Sequence, residues 1–361
     1  MRLTLRTRNS LLALGFCLLG SMAQAQSPSA QVLLDQGLEL FKADDNAGAA
    51  AKYEQVLASV PGNIAALMGL MYCYMNLHRD TELVSVCEKL LQAPGELPLA
   101  TAYSYYGLGL SHLKRYADAE QAFAKGAAQY PDDFALHFNR GNNLIRLSQP
   151  AAAKQSYCAA VVANPRHFRS HLNLSVGMFA EGDRVPAVLA LGRYLELDAQ
   201  GQQAAARAGQ FDQALMQGVR RQDEGHVNVT LPSKSVDALN AGTVKPDDFA
   251  NLEVGLTLAA AKAVGESKGK SSHITLVHEV FVELCRLLAA QAPGQRTGFA
   301  WQYYAPYYVE LEKQGHAPAF VHLTHTAQGE PEVQLWLAAH KADVAKFQQW
   351  SAAYAWPKGL R

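Results

Sequence analysis

The pattern of small, apolar and polar positions between residues 100 and 165 repeats at an interval of thirty-four residues. Two sets of four residues occupy equivalent places with every internal spacing preserved: Gly107, Ala119, Phe123 and Pro131, then Gly141, Ala153, Tyr157 and Pro165. A fixed period of this length is typical of stacked supersecondary units, each of which buries its apolar face against its neighbours. The pattern predicts one pair of helices per period.

Each repeated residue type has a physical reason. A glycine in the first helix and an alanine twelve residues later allow the two helix axes to approach to about 8 Å. The aromatic residue four positions after the alanine fills the seam between the helices. Proline lacks the amide hydrogen that a helix needs and clashes with the preceding turn, so we expect it to end the second helix.

The same register extends in both directions from these two copies. A first repeat carries Gly37, Ala49, Tyr53 and Pro61, a second carries Met71, Leu83 and Cys87, and a fifth carries Ser175, Ala187 and Leu191. Two extra residues separate the second and third repeats, and we place this insertion in the loop from Pro94 to Pro98. About five repeats are therefore predicted, more than the roughly three that such an array needs to be stable.

This pattern resembles the tetratricopeptide repeat, with Tyr103 and His137 where that family often has a tryptophan-class residue. The resemblance implies an all-α chain: a right-handed α-solenoid of about five helix pairs over residues 30–199, with a concave groove that binds a protein partner. Residues 200–245 are predicted to form a capping helix and a linker. Glutamine, alanine and glycine dominate from Gln202 to Gln217, where the helix is expected, and the linker begins at Gly225. His226–Leu231 alternates like a short strand, but no partner strand is evident.

Residues 246–361 are predicted to form a smaller helical domain. Apolar residues keep helical spacing at Val277, Phe281, Leu284 and Leu288. A last helix is predicted to begin at Pro331 and to present one continuous stripe: Trp336, His340, Val344, Phe347, Trp350 and Tyr354. The aromatic cluster from Trp301 to Tyr308 is expected to fill a core with its hydroxyls reaching the surface, and the alternative is a platform that stacks sugars.

The first residues have the layout of a secretory signal. Arg2, Arg6 and Arg8 precede an apolar run from Leu11 to Met22, and Ala23-Gln24-Ala25 resembles a cleavage site, so residues 1–25 are predicted to be a signal peptide. The run is shorter than the roughly 20 residues that a membrane span requires. We therefore expect a periplasmic protein, or alternatively a secreted one, with no membrane span after cleavage.

Charge and cysteine content give no sign of nucleic acid or of a structural zinc site. Three of the 32 basic residues lie in the predicted signal peptide, which leaves 29 basic residues against 32 acidic ones. Cys73, Cys87, Cys158 and Cys285 lack the short paired spacings of a zinc site. Cys73 and Cys87 fall on adjacent helices and could pair in an oxidising compartment, but small buried thiols are the favoured interpretation.

Positions carried over from the tetratricopeptide family define the predicted partner-binding groove. They are Leu34, Leu38 and Phe41 in the first repeat; Met68, Tyr72 and Met75 in the second; Leu108 and His112 in the third; Phe138, Asn142, Ile145 and Arg146 in the fourth; and Arg169, Asn173 and Phe179 in the fifth. The early part is apolar and the later part is polar with arginines. A partner with an apolar face and an acidic or main-chain end suits this gradient.

Two alternatives bear on that groove. Chaperone-binding members of the family hold a terminal carboxylate with a lysine and asparagines, and here Asn142, Asn173 and Arg169 match in part, but Phe138 replaces the lysine. Hydrogen bonding to the backbone of an extended peptide is therefore favoured over carboxylate recognition. Alternatively, the C-terminal domain or the helix after Gly201 covers the apolar groove, because large exposed apolar patches are unusual.

Catalytic motifs occur only out of context. Gly265-Glu-Ser267-Lys-Gly269 spells a nucleophile elbow, but an elbow requires a preceding strand and a helix is predicted there. The pairs His322 with His325 and His273 with His278 lack a third ligand, so no metal site and no cofactor are predicted. The favoured function is a non-enzymatic interaction scaffold of the cell envelope, and the alternative is an envelope enzyme or glycan-binding protein acting through the C-terminal domain.

Overall fold

The chain divides into two compact units between Gln149 and Pro150. The computed structural model describes residues 28–94, 99–223, 226–243, 245, 248–291 and 296–360. The predicted signal peptide, residues 1–25, lies outside these described residues, and so does most of the predicted insertion loop. Among the described residues, no helix combines the length and the apolar character that crossing a membrane requires.

The first unit consists of antiparallel helices joined by short turns. Its helices are α1 Pro28–Lys42, α2 Asn46–Ser59, α3 Ile64–Asn76, α4 Asp80–Gln92, α5 Ala100–His112, α6 Tyr116–Gln129 and α7 Phe134–Arg146. Each helix packs against the next one along the chain, and α1, α3, α5 and α7 also contact one another in sequence. The prediction of an all-α array of helix pairs is confirmed.

The seam between paired helices has the predicted chemistry. A Cβ atom built on Gly37 would lie 2.7 Å from the Tyr53 ring, and one on Gly107 would lie 2.5 Å from the Phe123 ring. Ala119 is fully buried beside the same contact. Only glycine allows the aromatic ring to lie this close to the first helix, because any side chain would overlap it.

A residue with a left-handed backbone conformation follows the first helix of each pair that begins in the first unit. Asp44, His78, Lys114 and Ser148 have φ angles of 65°, 55°, 61° and 58°. Such residues end helices by turning the chain away from the helix axis. Their spacing is thirty-four, thirty-six and thirty-four residues, so the two extra residues lie between His78 and Lys114, as the repeat register predicted.

The second unit is also mainly helical. Its helices are α8 Pro150–Ala163, α9 Phe168–Ala180, α10 Arg184–Leu197, α11 Ala204–Leu215, α12 Ser233–Asn240, α13 Ala250–Ser267, α14 His273–Ala289, α15 Phe299–Tyr303, α16 Ala305–Lys313, α17 Ala317–Thr324, α18 Pro331–Ala339 and α19 Lys341–Ala353, with a 3-10 turn at Thr326–Gln328. Strands β1 Val219–Arg221 and β2 Val227–Val229 pair antiparallel.

Helix α10 lies at the centre of the second unit. Every residue from Arg184 to Leu195 is buried, and α10 contacts α9, α11, α13 and α17. A Cβ atom on Gly192 would lie 2.7 Å from the Tyr308 hydroxyl oxygen and 3.1 Å from the Phe320 ring. The second helix of the fifth repeat is thus the core of the C-terminal helices, so the predicted end of the array at residue 199 does not coincide with the division between compact units.

The aromatic cluster of α15 and α16 packs around α10. Tyr303, Tyr304, Tyr307 and Tyr308 are all fully buried, and Trp301 is almost so. The expectation that the hydroxyls reach the surface is wrong: Tyr303 donates to the Val161 carbonyl at 2.6 Å, and Tyr308 donates to the Leu189 carbonyl at 2.6 Å. Because the rings are buried, this cluster offers no platform for stacking sugars.

Two local predictions are corrected. The segment around His226 does have a partner strand, because β1 pairs with β2 through Arg220 and Asn228, and α12 follows where a linker was expected. The single last helix is divided into α18 and α19 at His340. Trp336 therefore packs between the rings of His322 and His340, at 4.0 and 4.2 Å between centroids, while Phe347 is buried on the next helix.

Candidate functional site

The surface formed by α1, α3, α5 and α7, here called the first-helix face, carries a row of aromatic rings. Phe41 on α1 lies 6.3 Å from Tyr72 on α3, and Tyr72 meets Tyr105 on α5 edge to face, with centroids 5.5 Å apart and planes at 88°. The three side chains are half-buried. Burial raises the pKa of Tyr72, so its hydroxyl stays protonated and can donate a hydrogen bond.

Apolar side chains flank this aromatic row. Met68 and Met75 are half-buried against the core around α3, and Leu108 packs against the next cluster around α5. Leu38 is also half-buried. Leu34 differs, because it is only 5% exposed and packs in the core. Its predicted place in the groove is therefore corrected: it supports the first-helix face and is not available to a partner.

The far end of the first-helix face is polar and more exposed. On α5, His112 Nδ1 lies 2.8 Å from Asp80 Oδ1, so this histidine is already paired with a carboxylate. On α7, Arg146 is exposed and its guanidinium donates to the Asn142 carbonyl at 3.4 Å. Beside it, Ile145 is 51% exposed, whereas Phe138 is half-buried. Within the first unit, α7 therefore presents both the charged side chain of Arg146 and the apolar side chain of Ile145 to the surface.

The predicted groove residues of the fifth repeat lie on α9 in the second unit. Arg169 is exposed, with its guanidinium 5.7 Å from the Phe168 ring, while Asn173 and Phe179 are half-buried. The described C-terminal helices pack on α8, on the His171 side of α9 and on α10, through the hydroxyls of Tyr303, Tyr304 and Tyr308. Within the second unit they leave Arg169 and Val176 on the surface, so they do not cover this helix face.

One member of the first-helix face was missed from sequence. Tyr105 lies at a position that the family does not assign to its groove, yet it continues the aromatic row from Tyr72. A signal was present, since Tyr72, Tyr105 and Phe138 follow one another at intervals of thirty-three residues. Aromatic residues that recur at one interval on successive first helices indicate a shared face, even at a position that the family pattern does not assign to the groove.

Two cysteines of adjacent helices in the first unit are free thiols in buried surroundings. Cys73 and Cys87 are both fully buried and unpaired. Burial, aided by the charge of Asp45, raises the pKa of Cys73 to about 12, and burial raises the pKa of Cys87 further. Because the thiolate is the reactive species, neither cysteine is suited to nucleophilic chemistry.

The serine motif at residues 265–269 does not form a nucleophile elbow. Ser267 is the last residue of helix α13, so a helix and not a strand precedes it. Its hydroxyl donates to the Val264 carbonyl at 2.8 Å and is contacted by the Arg221 guanidinium. These bonds close the end of the helix, and the next residue, Lys268, has a left-handed φ of 45°.

Two of the four histidines considered as metal ligands meet on a buried aspartate. Asp212 on α11 contacts His273 Nε2 at 2.9 Å and His325 Nε2 at 2.7 Å. His325 Nδ1 lies 2.6 Å from the Val321 carbonyl. The Thr324 hydroxyl oxygen also lies 3.1 Å from this nitrogen, so both ring nitrogens of His325 have polar partners. Among the described residues no group of three or more ligands could hold a metal ion.

The two pKa shifts in this cluster predict a dependence of stability on pH. Burial works against ionisation of Asp212, but hydrogen bonds from His273 and His325 leave its pKa below the usual 3.8. The hydrogen bond to Asp212 raises the pKa of His273 above the usual 6.5 despite partial burial. The stabilisation that the ionised Asp212 carboxylate gives the folded state is lost as pH falls below 3.8. The stabilisation that protonated His273 gives the folded state is lost as pH rises through the raised pKa of His273.

We therefore expect Asp212→Asn to destabilise the protein most between about pH 4 and pH 6.5. Urea unfolding of both proteins at about pH 5 and about pH 8.5 measures this, and the stability difference should be larger at the lower pH. Asp223→Asn, which alters an exposed pair with His226, is the control and should have an effect within about 0.5 kcal/mol. An Asp212→Asn effect that is equal at both pH values contradicts the assignment.

The thirty-four-residue period, the helix pairs and the glycine-aromatic seam define a helical-repeat protein whose helix pairs resemble tetratricopeptide repeats. No protein-family model and no curated protein matches the sequence.

Among solved structures, the chain is similar to the MamA protein, with 20% identity over 48% of this chain and 93% of that one and a TM-score of 0.42. It is similar to MamA from residue 41 to the end from Desulfovibrio magneticus RS-1, with 17% identity over 49% and 99% and a TM-score of 0.45. It is also similar to YrrB, a TPR protein with an unusual peptide-binding site, with 18% identity over 47% and 86% and a TM-score of 0.39. At these values the likeness bears on no residue and on no function of this chain.

Proposed function

We propose that this protein is a non-enzymatic interaction scaffold that binds a peptide or helix of a partner protein on its first-helix face. The aromatic row of Phe41, Tyr72 and Tyr105 carries this proposal, because half-buried rings on successive helices give rigid apolar contacts with exposed edges. Aromatic anchors of this kind lose little conformational entropy when a partner binds. The arginine-bearing end at Arg146 supplies donors for an acidic or main-chain group of the same ligand.

The place of action that we propose is the cell envelope. The arginine-rich start, the apolar run from Leu11 to Met22 and the small residues up to Ala25 support export. Periplasmic release is favoured and secretion is the alternative. Fusion of residues 1–30 to a reporter enzyme that is active only outside the cytoplasm tests this, since a cytoplasmic reporter would give no signal.

Selection of peptides from a random displayed library on the purified chain tests the binding proposal. We expect the selected peptides to share apolar or aromatic anchors, and Ile145→Asp to weaken their binding at least about tenfold, which is about 1.4 kcal/mol. Ile145 is 51% exposed and Leu258 on α13 is 52% exposed, so Leu258→Asp is a control of matched exposure. Binding that survives Ile145→Asp, or that both variants weaken equally, counts against the first-helix face.

A further inference from the structure

The β-hairpin of the second unit borders a cleft of about 690 Å³ that plays no part in the proposed scaffold function. Arg220 pairs across the strands with Asn228, and the Thr230 amide donates to the Gly218 carbonyl at 2.6 Å. Side chains alternate along a strand, so Arg220, Asn228 and Thr230 share one face of the hairpin. All of them line the cleft.

The opposite face of the hairpin is held in place by helix α13. Arg221 reaches the Val264 carbonyl and the Ser267 hydroxyl at the end of that helix. Both strands contact α13. Because the opposite face packs on α13, the face that carries Arg220 points away from this helix. The cleft wall is therefore a β-hairpin packed on a helix and not a loop.

A buried arginine lines the cleft from helix α10. Arg184 is 5% exposed, and its guanidinium donates from Nε to the Ala214 carbonyl at 2.7 Å, from Nη1 to the Thr257 hydroxyl at 2.8 Å and from Nη2 to the Leu215 carbonyl at 3.0 Å. These bonds use three of its five N–H groups. They also fix the orientation of the guanidinium, so a ligand does not have to order this side chain.

The balance of charge around the cleft is positive. Its charged lining residues are Arg184 and Arg220, and among the described residues no carboxylate makes an ion pair with Arg220. Glu253, behind the wall, accepts from the Ser235 hydroxyl at 2.5 Å and from the backbone amide of Arg184 at 3.2 Å. Burial lowers the pKa of Arg184 to about 10, only partly offset by the charge of Glu253. The guanidinium of Arg184 donates to two carbonyls and a hydroxyl, all of them neutral. A buried positive group with neutral partners favours an anionic ligand.

We infer that this cleft binds a small organic carboxylate. Arg220 and Arg184 supply the positive charge and the planar donors that a carboxylate prefers, and Asn228 and Gln217 offer further hydrogen bonds. Leu231 and Pro232 at the cleft provide apolar contact for the body of the ligand. The volume lies within the roughly 300–1,000 Å³ of pockets that hold small molecules. An inorganic anion would leave most of this space unfilled.

Calorimetric titration of the purified chain with three probes tests the inference. The probes are hippurate, which joins a carboxylate to an apolar ring, its neutral amide benzoylglycinamide, and inorganic phosphate. We expect hippurate to bind with one site per chain, and the amide and phosphate to bind at least about tenfold more weakly, because each lacks one of the two features. Hippurate should also raise the unfolding temperature of the protein.

Two variants locate the site. Arg220 is exposed, so Arg220→Gln is expected to retain the fold and to weaken hippurate binding at least about tenfold. Asn228→Ala is a second variant on the same face, with a smaller expected loss. Arg286→Gln removes a similarly exposed arginine from α14 and should leave binding unchanged. Absence of hippurate binding, equal binding of phosphate or of the amide, or full binding by Arg220→Gln overturns the inference, and none of these results bears on peptide binding by the first-helix face.

Discussion

Replacing Arg193 with methionine is expected to lower the free energy of unfolding of the second unit by about 3–5 kcal/mol. Arg193 is 1% exposed, and its Nη1 lies 2.7 Å from Glu196 Oε1 and 2.7 Å from the Ser351 hydroxyl. Burial by itself would lower the pKa of Arg193, but the attraction of Glu196 raises it above its usual range. Without the guanidinium, the Glu196 carboxylate stays buried with no opposite charge.

The contacts of Arg193 explain why the effect extends over the unit. Its guanidinium lies 5.4 Å from the Tyr307 ring and 5.0 Å from the Trp356 ring, and the Tyr307 hydroxyl donates to Glu196 at 2.7 Å. One side chain therefore links α10 to α16, α19 and the segment that follows α19. Loss of Arg193 weakens all of these attachments together.

Tryptophan fluorescence during urea unfolding measures this prediction specifically. All four tryptophans, Trp301, Trp336, Trp350 and Trp356, belong to the second unit. The double variant Arg193→Met with Glu196→Gln is the matched control, because it also removes the buried negative charge and is expected to recover at least about half of the lost stability. A loss below about 1 kcal/mol for Arg193→Met would mean that the ion pair is not buried as described.

Replacing Gly107 with valine is expected to destabilise the first unit by about 3 kcal/mol. The Cβ atom would lie 2.5 Å from the Phe123 ring, and Phe123 is fully buried in one cluster with Leu110 and Leu136. Overpacking a helix seam forces the helices apart, and in a repeat array this also disturbs the neighbouring repeats. Far-ultraviolet circular dichroism during urea unfolding follows the loss of helix.

Gly177 on α9 also lies in the first helix of a pair, but unlike Gly107 it has free space where a side chain would begin. No atom lies within 4 Å of a Cβ built there. Gly177→Ala should therefore stabilise the protein by about 0.5–1 kcal/mol, through the helix propensity of alanine alone. If Gly107→Val unfolds at the same urea concentration as the unchanged protein, the assigned seam is wrong.

Much of the candidate site followed from the repeat register. Phe41, Met68, Tyr72 and Met75 were placed on one face because each lies at an equivalent position of a first helix, and the structure brings them onto adjacent helices. The register could not show that Leu34 is covered, because the burial of a residue near the start of α1 depends on how that helix lies against α2.

The cleft beside Arg220 could not be found in the same way. Its residues come from α10, from the hairpin and from the segment before α12, and no period relates them. Three-residue strands leave almost no alternation of polarity to detect. The sequence predicts a linker for much of this stretch, because its one alternating segment, His226–Leu231, has no evident partner strand.

By itself, the sequence determined the helix pairs, their thirty-four-residue register and the glycine-aromatic seams, since these arise from contacts between residues close in the chain. Only the tertiary structure decided that α10 is the buried centre of the second unit. The same holds for the contacts of Asp212 with His273 and with His325, the latter 113 residues after Asp212 in the chain. The physical reason is that long-range pairs carry no periodic signal: their partners are selected by burial and charge after the helices have packed.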